Sequence, residues 1–110
     1  MKILKLKSEQ ILDIASGRGG CLATDLITVE GNQIMYMYRE EPNNATDSGW
    51  RFFSGLEDDE YMAKSANHGV YDVNTIANYD PSIISYLDAK IGSSFERDEK
   101  TSAFNEVQDT

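Results

Sequence analysis

The sequence predicts an α+β fold, in which a mostly antiparallel sheet is combined with short helices in a single domain. Three observations support this class. Short β-prone runs recur along the chain, the segments between most of them are too short for a parallel crossover, and the helical patterns are brief. The 110 residues fit one domain, 1–110, and a chain of this size can bury one core without disulfides or metals.

Charge is the least ordinary part of the composition. The chain has nineteen acidic and ten basic residues, and its formal net charge is −9. Binding to nucleic acid or to anionic lipid requires a basic surface, so we predict neither partner. An acidic surface suits a basic protein partner, although solubility alone explains the same charge.

The cysteine content and the hydrophobic pattern predict a cytoplasmic protein. Cys21 is the one cysteine of the chain, so no intramolecular disulfide can form and a reducing compartment fits. The lysine-rich run Met1–Lys7 lacks the apolar stretch of a signal peptide. No window approaches the ~18 apolar residues of a membrane span.

The first twenty residues predict a helix followed by a glycine-rich joint. Ser8 is a suitable N-cap for a helix over residues 8–16. The run Gly17–Gly20 lacks the Lys-Ser/Thr pair of a phosphate-binding loop. We interpret this run as the C-cap of the helix and a flexible joint.

The following residues predict a β-hairpin. Leu26–Val29 and Gln33–Arg39 are β-prone, and Glu30–Asn32 between them has the composition of a turn. Because both faces of Gln33–Arg39 are largely apolar, we expect this strand to be central in the sheet and covered on both sides.

The rest of the chain continues the alternation of strands and short helices. Asp80 followed by Pro81 is typical of a helix start. Leu56–Ala63 predicts a helix with acidic residues in its first turn. The further predicted elements are strands at Cys21–Thr24, Trp50–Ser54, Val70–Val73, Ser94–Arg97 and Ala103–Val107, and a helical turn at Asn74–Asn78.

No set of residues predicts catalysis. His68 is the single histidine and lies in a predicted surface turn, and nothing in the sequence places it beside Cys21 as a base beside a nucleophile. We interpret Cys21 as a buried, unreactive thiol. The sequence therefore predicts no catalytic residue, no metal site and no cofactor.

An acidic segment is a first candidate site for a protein partner. Its carboxylates lack the alternate spacing and the glycine of a calcium-binding loop, so a solvated face is the simplest interpretation. The functional alternative is an electronegative patch for a basic partner. The contacts would then be made by Glu57, Asp58, Asp59, Glu60 and Tyr61.

A polar and aromatic cluster is a second candidate site. Arg39 and Arg51 occur in otherwise apolar strands, where a partly buried arginine requires a carboxylate partner. Four carboxylates near in sequence could supply it: Glu40, Asp47, Asp72 and Asp80. The alternatives are that such pairs only determine the fold, or that a pocket binds a small molecule or peptide, with or without enzymatic activity. That pocket would be lined by Arg39, Trp50, Arg51, Asn74 and Asp80.

Several polar and aromatic strings carry a family resemblance. The longest are Asp47–Gly55, which reads Asp-Ser-Gly-Trp-Arg-Phe-Phe-Ser-Gly, and Asn74–Pro81. With them, residues 21–97 resemble the immunity protein 33 family of bacterial polymorphic toxin systems, and the helix expected over residues 8–16 lies outside the match. The other matching strings are Ile27–Val29 with Gly31, Tyr36–Glu40, Tyr61–Met62 and Phe95–Arg97.

The resemblance implies a non-catalytic protein that binds a cognate bacterial toxin and blocks its active site or an essential surface. The family offers no catalytic residues to carry over. A nuclease toxin would present a basic substrate groove, which would attract an acidic inhibitor. The sequence leaves the identity of the toxin and the oligomeric state open.

Overall fold

A six-stranded sheet lies at the centre of the computed structural model, which describes residues 2–107. The order of the strands across the sheet is β4-β1-β3-β2-β5-β6. β1 and β3 run parallel, and the other neighbouring pairs are antiparallel. The predicted α+β class is confirmed. The strands are β1 Gly20–Thr24, β2 Tyr36–Arg39, β3 Asp47–Phe53, β4 His68–Asp72, β5 Ser94–Arg97 and β6 Phe104–Glu106.

Short helices connect the strands. None of the helices within residues 2–107 combines the length and the apolar composition needed to cross a membrane. The α-helices are α1 Asp25–Thr28, α2 Asp59–Met62 and α3 Val73–Tyr79, and the 3-10 helices are Ser8–Gln10, Ser65–Asn67 and Pro81–Tyr86.

The core lies between one face of the sheet and the helices α1, α3 and Pro81–Tyr86. Trp50 and Phe52 of β3 point to this face, as their alternation predicts, and their rings stack with centroids 5.9 Å apart. The Trp50 indole N–H donates to the backbone oxygen of Leu87 at 3.2 Å, so its polar atom is satisfied inside the core.

The helix predicted over residues 8–16 is wrong. Only the 3-10 helix Ser8–Gln10 forms there, and the chain then bends along α3. The backbone N–H of Leu12 donates to the side chain of Asn78, and those of Ile14 and Ala15 donate to Asn74. Side-chain acceptors thus replace helical carbonyls, and the glycines that follow cap no helix.

The predicted hairpin is also wrong, because its first strand is the helix α1. The turn Glu30–Asn32 exists, but it ends this helix. The N–H groups of Gly31 and Asn32 donate to the carbonyls of Ile27 and Leu26, and Gly31 adopts φ +80°. This is the geometry of a glycine-terminated helix, in which a left-handed residue lets the chain fold back on the last carbonyls.

The later elements largely agree with the predictions made from the sequence. β5 has the predicted bounds, and Asp80 caps the helix that Pro81 begins. The predicted strands Val70–Val73 and Trp50–Ser54 overlap β4 and β3. α2 is shorter than the predicted helix over residues 56–63, since its N-cap is Asp58.

Candidate functional site

The sheet face opposite the core is partly open, and we call it the open face. It carries Leu22 of β1, Tyr36 and Tyr38 of β2, and Arg51 and Phe53 of β3, which alternate with the core residues along each strand. Both tyrosines and Phe53 are only half-buried. β2 is central in the sheet, as predicted, but the expectation that both of its sides are covered is wrong.

Three rings of the open face form an aromatic cluster, defined as Tyr36, Tyr38 and Phe53. The ring of Phe53 stacks on that of Tyr38 with centroids 5.7 Å apart, and Tyr36 lies 5.9 Å from each of the other two rings. Burial, together with the nearby Glu40 carboxylate, raises the pKa of the Tyr38 hydroxyl. Tyr38 is therefore uncharged at neutral pH, and the half-exposed rings of the cluster are accessible from solvent.

Arg51 sits beneath this face and is 2% exposed. Its Nη1 and Nη2 donate to the two carboxylate oxygens of Asp47 at 3.0 and 2.8 Å, and its Nε donates to Glu40 at 2.6 Å. The hydrogen bond from Arg51 holds the pKa of the Asp47 carboxyl well below its usual range, although burial opposes the shift. The carboxylate partner predicted for Arg51 is thus confirmed as a two-carboxylate fork.

Two small cavities flank Arg51. One lies beside Leu22, Asp47 and Val70, and the other beside Tyr38 and Met62; each has a volume of about 100 Å³. Pockets that enclose a small-molecule ligand typically have volumes of roughly 300–1,000 Å³. Each of these two cavities is below that range, and a third depression, beside the aromatic cluster, is shallow and has a volume of about 290 Å³.

Arg39 is held in a different way from Arg51. It points to the core face, where its Nε donates to the backbone oxygen of Ser48 at 2.9 Å and its Nη1 donates to that of Ala89 at 2.8 Å. Its guanidinium lies 5.9 Å from the centroid of the Trp50 ring. The structure satisfies Arg39 with two carbonyls in place of the expected carboxylate.

The remaining residues of the predicted pocket organise the chain. The side-chain Oδ1 of Asn74 accepts hydrogen bonds from the backbone N–H groups of Ile14 and Ala15. Asp80 accepts from Arg97 Nη2 at 2.6 Å. Of the five predicted residues the structure brings Arg39 and Trp50 together, on the core face. Arg51 points to the opposite face of β3, and Asn74 and Asp80 are bonded elsewhere, so no common pocket forms.

Arg97 is the partner of Asp80 that the sequence interpretation missed. It is buried on the core face of β5, where it also donates to the Ile34 carbonyl at 2.8 Å and lies 4.2 Å over the Phe104 ring. The available signal was its spacing of two from Phe95, which places a guanidinium on an apolar face where it requires a carboxylate.

The predicted acidic segment divides into two parts. Glu57 accepts hydrogen bonds from Thr24 and from the backbone N–H groups of Ser54 and Gly55. Burial alone would raise the pKa of the Glu57 carboxyl, but these hydrogen bonds outweigh it and lower the pKa. The hydrogen bonds of Glu57 with Ser54 and Gly55 therefore hold the chain in place at the end of β3.

The other residues of this segment belong to α2. Asp58 caps the helix by accepting from Tyr61 N–H at 2.7 Å, and the Tyr61 hydroxyl donates to the Asn67 carbonyl at 3.2 Å. Asp58, Asp59 and Glu60 are all exposed. Because the Asp58 carboxylate serves as the helix cap, Asp59 and Glu60 are the carboxylates of the segment for which the structure shows no such role.

The single cysteine and the single histidine are separated. Cys21 is 1% exposed on the core side of β1, and burial raises the pKa of its thiol well above the usual range. His68 lies across from Thr24 at the edge of the sheet. Within residues 2–107, no group of three or more His, Cys, Asp or Glu side chains is placed to hold a metal ion.

Comparison of the chain with models of protein families found a match over most of its length. The model of the immunity protein Imm33 domain matches residues 21–108. The chain belongs to the Imm33 family. The match starts at the residue that the resemblance indicated and continues past Arg97, the expected end. Searches of curated proteins and of solved structures returned no match.

In this Imm33 domain the matched region contains the whole open face. The string Asp47–Gly55, which carried much of the resemblance, forms β3 and the turn after it. One strand therefore supplies Trp50 to the core, and Arg51 and Phe53 to the open face. The segment before residue 21, which lies along α3, is outside the Imm33 match.

Proposed function

We propose that this Imm33 protein is a non-catalytic inhibitor that binds a protein toxin through the open face. The observation that carries the proposal is the aromatic cluster, whose half-exposed rings stand on the central strands β2 and β3. Each of these strands is hydrogen-bonded on both sides, so the rings are presented by a rigid support. Tyrosine is enriched among the residues that contribute most to protein–protein affinity.

The size and the shallowness of the cavities favour a protein over a small molecule. The two cavities beside Arg51 could each accept a side chain, and the depression of about 290 Å³ beside the aromatic cluster is open to solvent, whereas a ligand pocket must bury most of its ligand. The buried pair between Arg51 and Asp47 needs no ligand to neutralise it. These features support a docking surface and do not support the alternative of a small-molecule or peptide pocket.

We further propose that Asp59 and Glu60 extend the contact with the toxin. Both carboxylates are exposed at the start of α2, and Met62 of the same helix lines a cavity of the open face. A toxin that covers this face could therefore reach both carboxylates. Complex formation with a basic toxin would then weaken as salt rises. We infer that neutralisation takes place in the cytoplasm, which fits a chain with one cysteine.

The test combines capture with growth rescue. The tagged chain is incubated at low salt with lysate of the bacterium that encodes it, and bound proteins are identified by mass spectrometry. The gene of each captured protein is then expressed alone and together with the chain. We expect one captured protein to arrest growth and the chain to restore growth.

Matched variants locate the contact. Tyr38→Ala removes a ring of the aromatic cluster, whereas Leu12→Ala shortens an exposed side chain that lies beside α3. Rescue should weaken in the first variant and persist in the second. A captured protein that has no effect on growth would contradict the proposed function, and equal rescue by both variants would contradict its placement on the open face.

A further inference from the structure

We propose that the open face receives an arginine-bearing basic segment of the partner protein. This inference rests on the proposed function, because it specifies the chemistry of the partner at the same surface. In this arrangement an incoming guanidinium stacks on the aromatic cluster, and the carboxylates around the cluster accept its N–H groups.

The half-exposed rings of the aromatic cluster border a shallow depression in which a planar cation can contact them. Tyr38 and Phe53 are nearly parallel, with an interplanar angle of 13°, and Tyr36 extends the surface to one side. The protein already stabilises two of its own guanidinium groups in this way. Arg97 lies 4.2 Å over the Phe104 ring, and Arg39 lies 5.9 Å from the Trp50 ring.

Carboxylates lie around the aromatic cluster. Glu40 follows β2 directly, and its charge contributes to the raised pKa of Tyr38. Glu96 of β5 is the register partner of Tyr36 and is exposed. Glu57 lines a shallow depression together with the three rings.

The charge of the surface is not balanced. Asp47 and Glu40 both bind Arg51, so this one guanidinium faces two carboxylates, and Glu57 and Glu96 add further negative charge. The surface therefore attracts a cation beside the rings.

The negative charge of the open face opposes two other partners, a second copy of this protein and nucleic acid. Two copies of the open face would bring like charges together, which opposes self-association. Nucleic acid would be repelled for the same reason. Arginine fits better than lysine, because its planar guanidinium can stack on a ring and donate to a carboxylate at the same time.

The probes are two peptides of equal charge and length, (Gly-Arg)4 and (Gly-Lys)4, titrated into the ¹⁵N-labelled protein at low salt. We expect the arginine peptide to bind about three-fold more tightly than the lysine peptide, as one exposed cation–π contact would produce. The amide shifts should centre on Tyr36, Tyr38 and Phe53.

Three variants with retained spectra test the assignment. Tyr36→Leu keeps an apolar side chain but removes a ring, and should reduce the preference for arginine. Glu96→Gln should weaken binding of both peptides about two- to three-fold. Glu30→Gln changes the net charge equally at an exposed site beyond α1, and should have a smaller effect.

Four outcomes would overturn the inference: equal affinity for the two peptides, shifts centred elsewhere, equal effects of Glu96→Gln and Glu30→Gln, or no binding. A low-salt dimer that Tyr36→Leu abolishes would assign the face to a second copy. If Tyr36→Leu and Glu96→Gln neutralise a toxin as well as the unaltered protein does, this inference fails while the proposed function stands. If both variants change peptide binding as expected but no captured protein arrests growth, the proposed function fails instead.

Discussion

At the scale of single residues, Arg51 connects the core to the open face. Its guanidinium is bound by Asp47 and Glu40, and its Nη1 also donates to the Trp50 carbonyl at 2.9 Å. Such a buried pair adds little net stability compared with a well-packed apolar group, but the loss of one partner leaves a buried charge without compensation. The fork therefore constrains which substitutions β3 tolerates.

Replacement of Asp47 by alanine should destabilise the protein strongly. The variant leaves a guanidinium that is 2% exposed with Glu40 as its remaining carboxylate. The expected loss in the free energy of unfolding is about 3 kcal/mol, measured by urea denaturation. Asp88→Ala removes the carboxylate of a surface pair with Arg18 and should cost much less. Similar losses in the two variants would show that the pair of Arg51 and Asp47 contributes no more to stability than an exposed ion pair.

Stability should also depend on pH through Asp47. Its pKa is depressed in the folded state by the hydrogen bond from Arg51, with burial opposing the shift. A depressed pKa contributes stability above the unfolded value near 3.9, and this contribution is lost as the pH falls below about 4. Asp47→Asn should flatten the decline in urea midpoints below this pH.

The decline should not vanish in this variant, because the pKa of Glu57 is lowered as well. Arg51→Met, which removes the group that depresses the pKa of Asp47, should flatten the curve in a similar way. An unchanged curve in both variants would contradict this origin of the acid sensitivity.

At the scale of elements, α1 shows how much of the local structure the sequence could predict. Its residues are β-prone and occupy only four positions, too few for helical periodicity to appear. A glycine after such a run is compatible with a hairpin turn and with a helix C-cap. The contacts of Ile27 with the core decide between them, and these are not visible in the local sequence.

Prediction succeeded where a residue has one dominant physical requirement. A proline after an aspartate indicated the helix start at Asp80, and an arginine in an apolar strand indicated the fork at Arg51. The prediction that both sides of β2 are covered was wrong, because two apolar sides do not indicate which side the helices pack against. The anchoring of residues 11–15 also depends on side chains that are distant in sequence.

The segment before β1 should loosen when Asn74 loses its acceptor oxygen. Asn74→Ala removes the oxygen that accepts from Ile14 and Ala15, so both amides should exchange hydrogen faster by a factor of about 10. Asn74→Asp keeps an acceptor in place and should preserve the protection. Hydrogen exchange followed by NMR measures both variants, and unchanged protection in Asn74→Ala would refute the anchoring.

Within β3, Gly49 meets two requirements that can be separated. It adopts φ +89°, and a Cβ atom at this position would overlap the Glu40 carbonyl oxygen. Gly17 has a similar φ of +83°, but a Cβ there meets nothing within 4 Å. Gly49→Ala should therefore destabilise by more than the roughly 1 kcal/mol expected for Gly17→Ala, as urea denaturation would show. Equal costs would show that the close approach is relieved without strain.

At the scale of the whole molecule, the sheet depends on β1. This strand lies between β3, its parallel neighbour, and β4, its antiparallel neighbour. It also carries Cys21 on the core side. Removal of β1 would separate β4 from the other strands, so local opening at this point should require most of the free energy of global unfolding.

The thiol of Cys21 should therefore report global unfolding. It is 1% exposed, and burial raises its pKa, so a disulfide reagent should react slowly with the native protein. The rate should rise with urea in parallel with the unfolding transition. Rapid labelling in the absence of urea would show that β1 opens independently of the rest of the sheet.

The position of β1 also has a consequence for biosynthesis. Gly20–Thr24 leaves the ribosome first among the strands, but its neighbours Asp47–Phe53 and His68–Asp72 emerge later. At a translation rate of roughly 5–20 residues per second, several seconds pass between the synthesis of β1 and that of its second neighbour, β4. Until then the backbone of β1 is exposed to chaperones and to other nascent chains. A newly made molecule can therefore complete this part of the sheet only after His68–Asp72 has been translated, which sets a minimum delay between the start of synthesis and the first folded molecule.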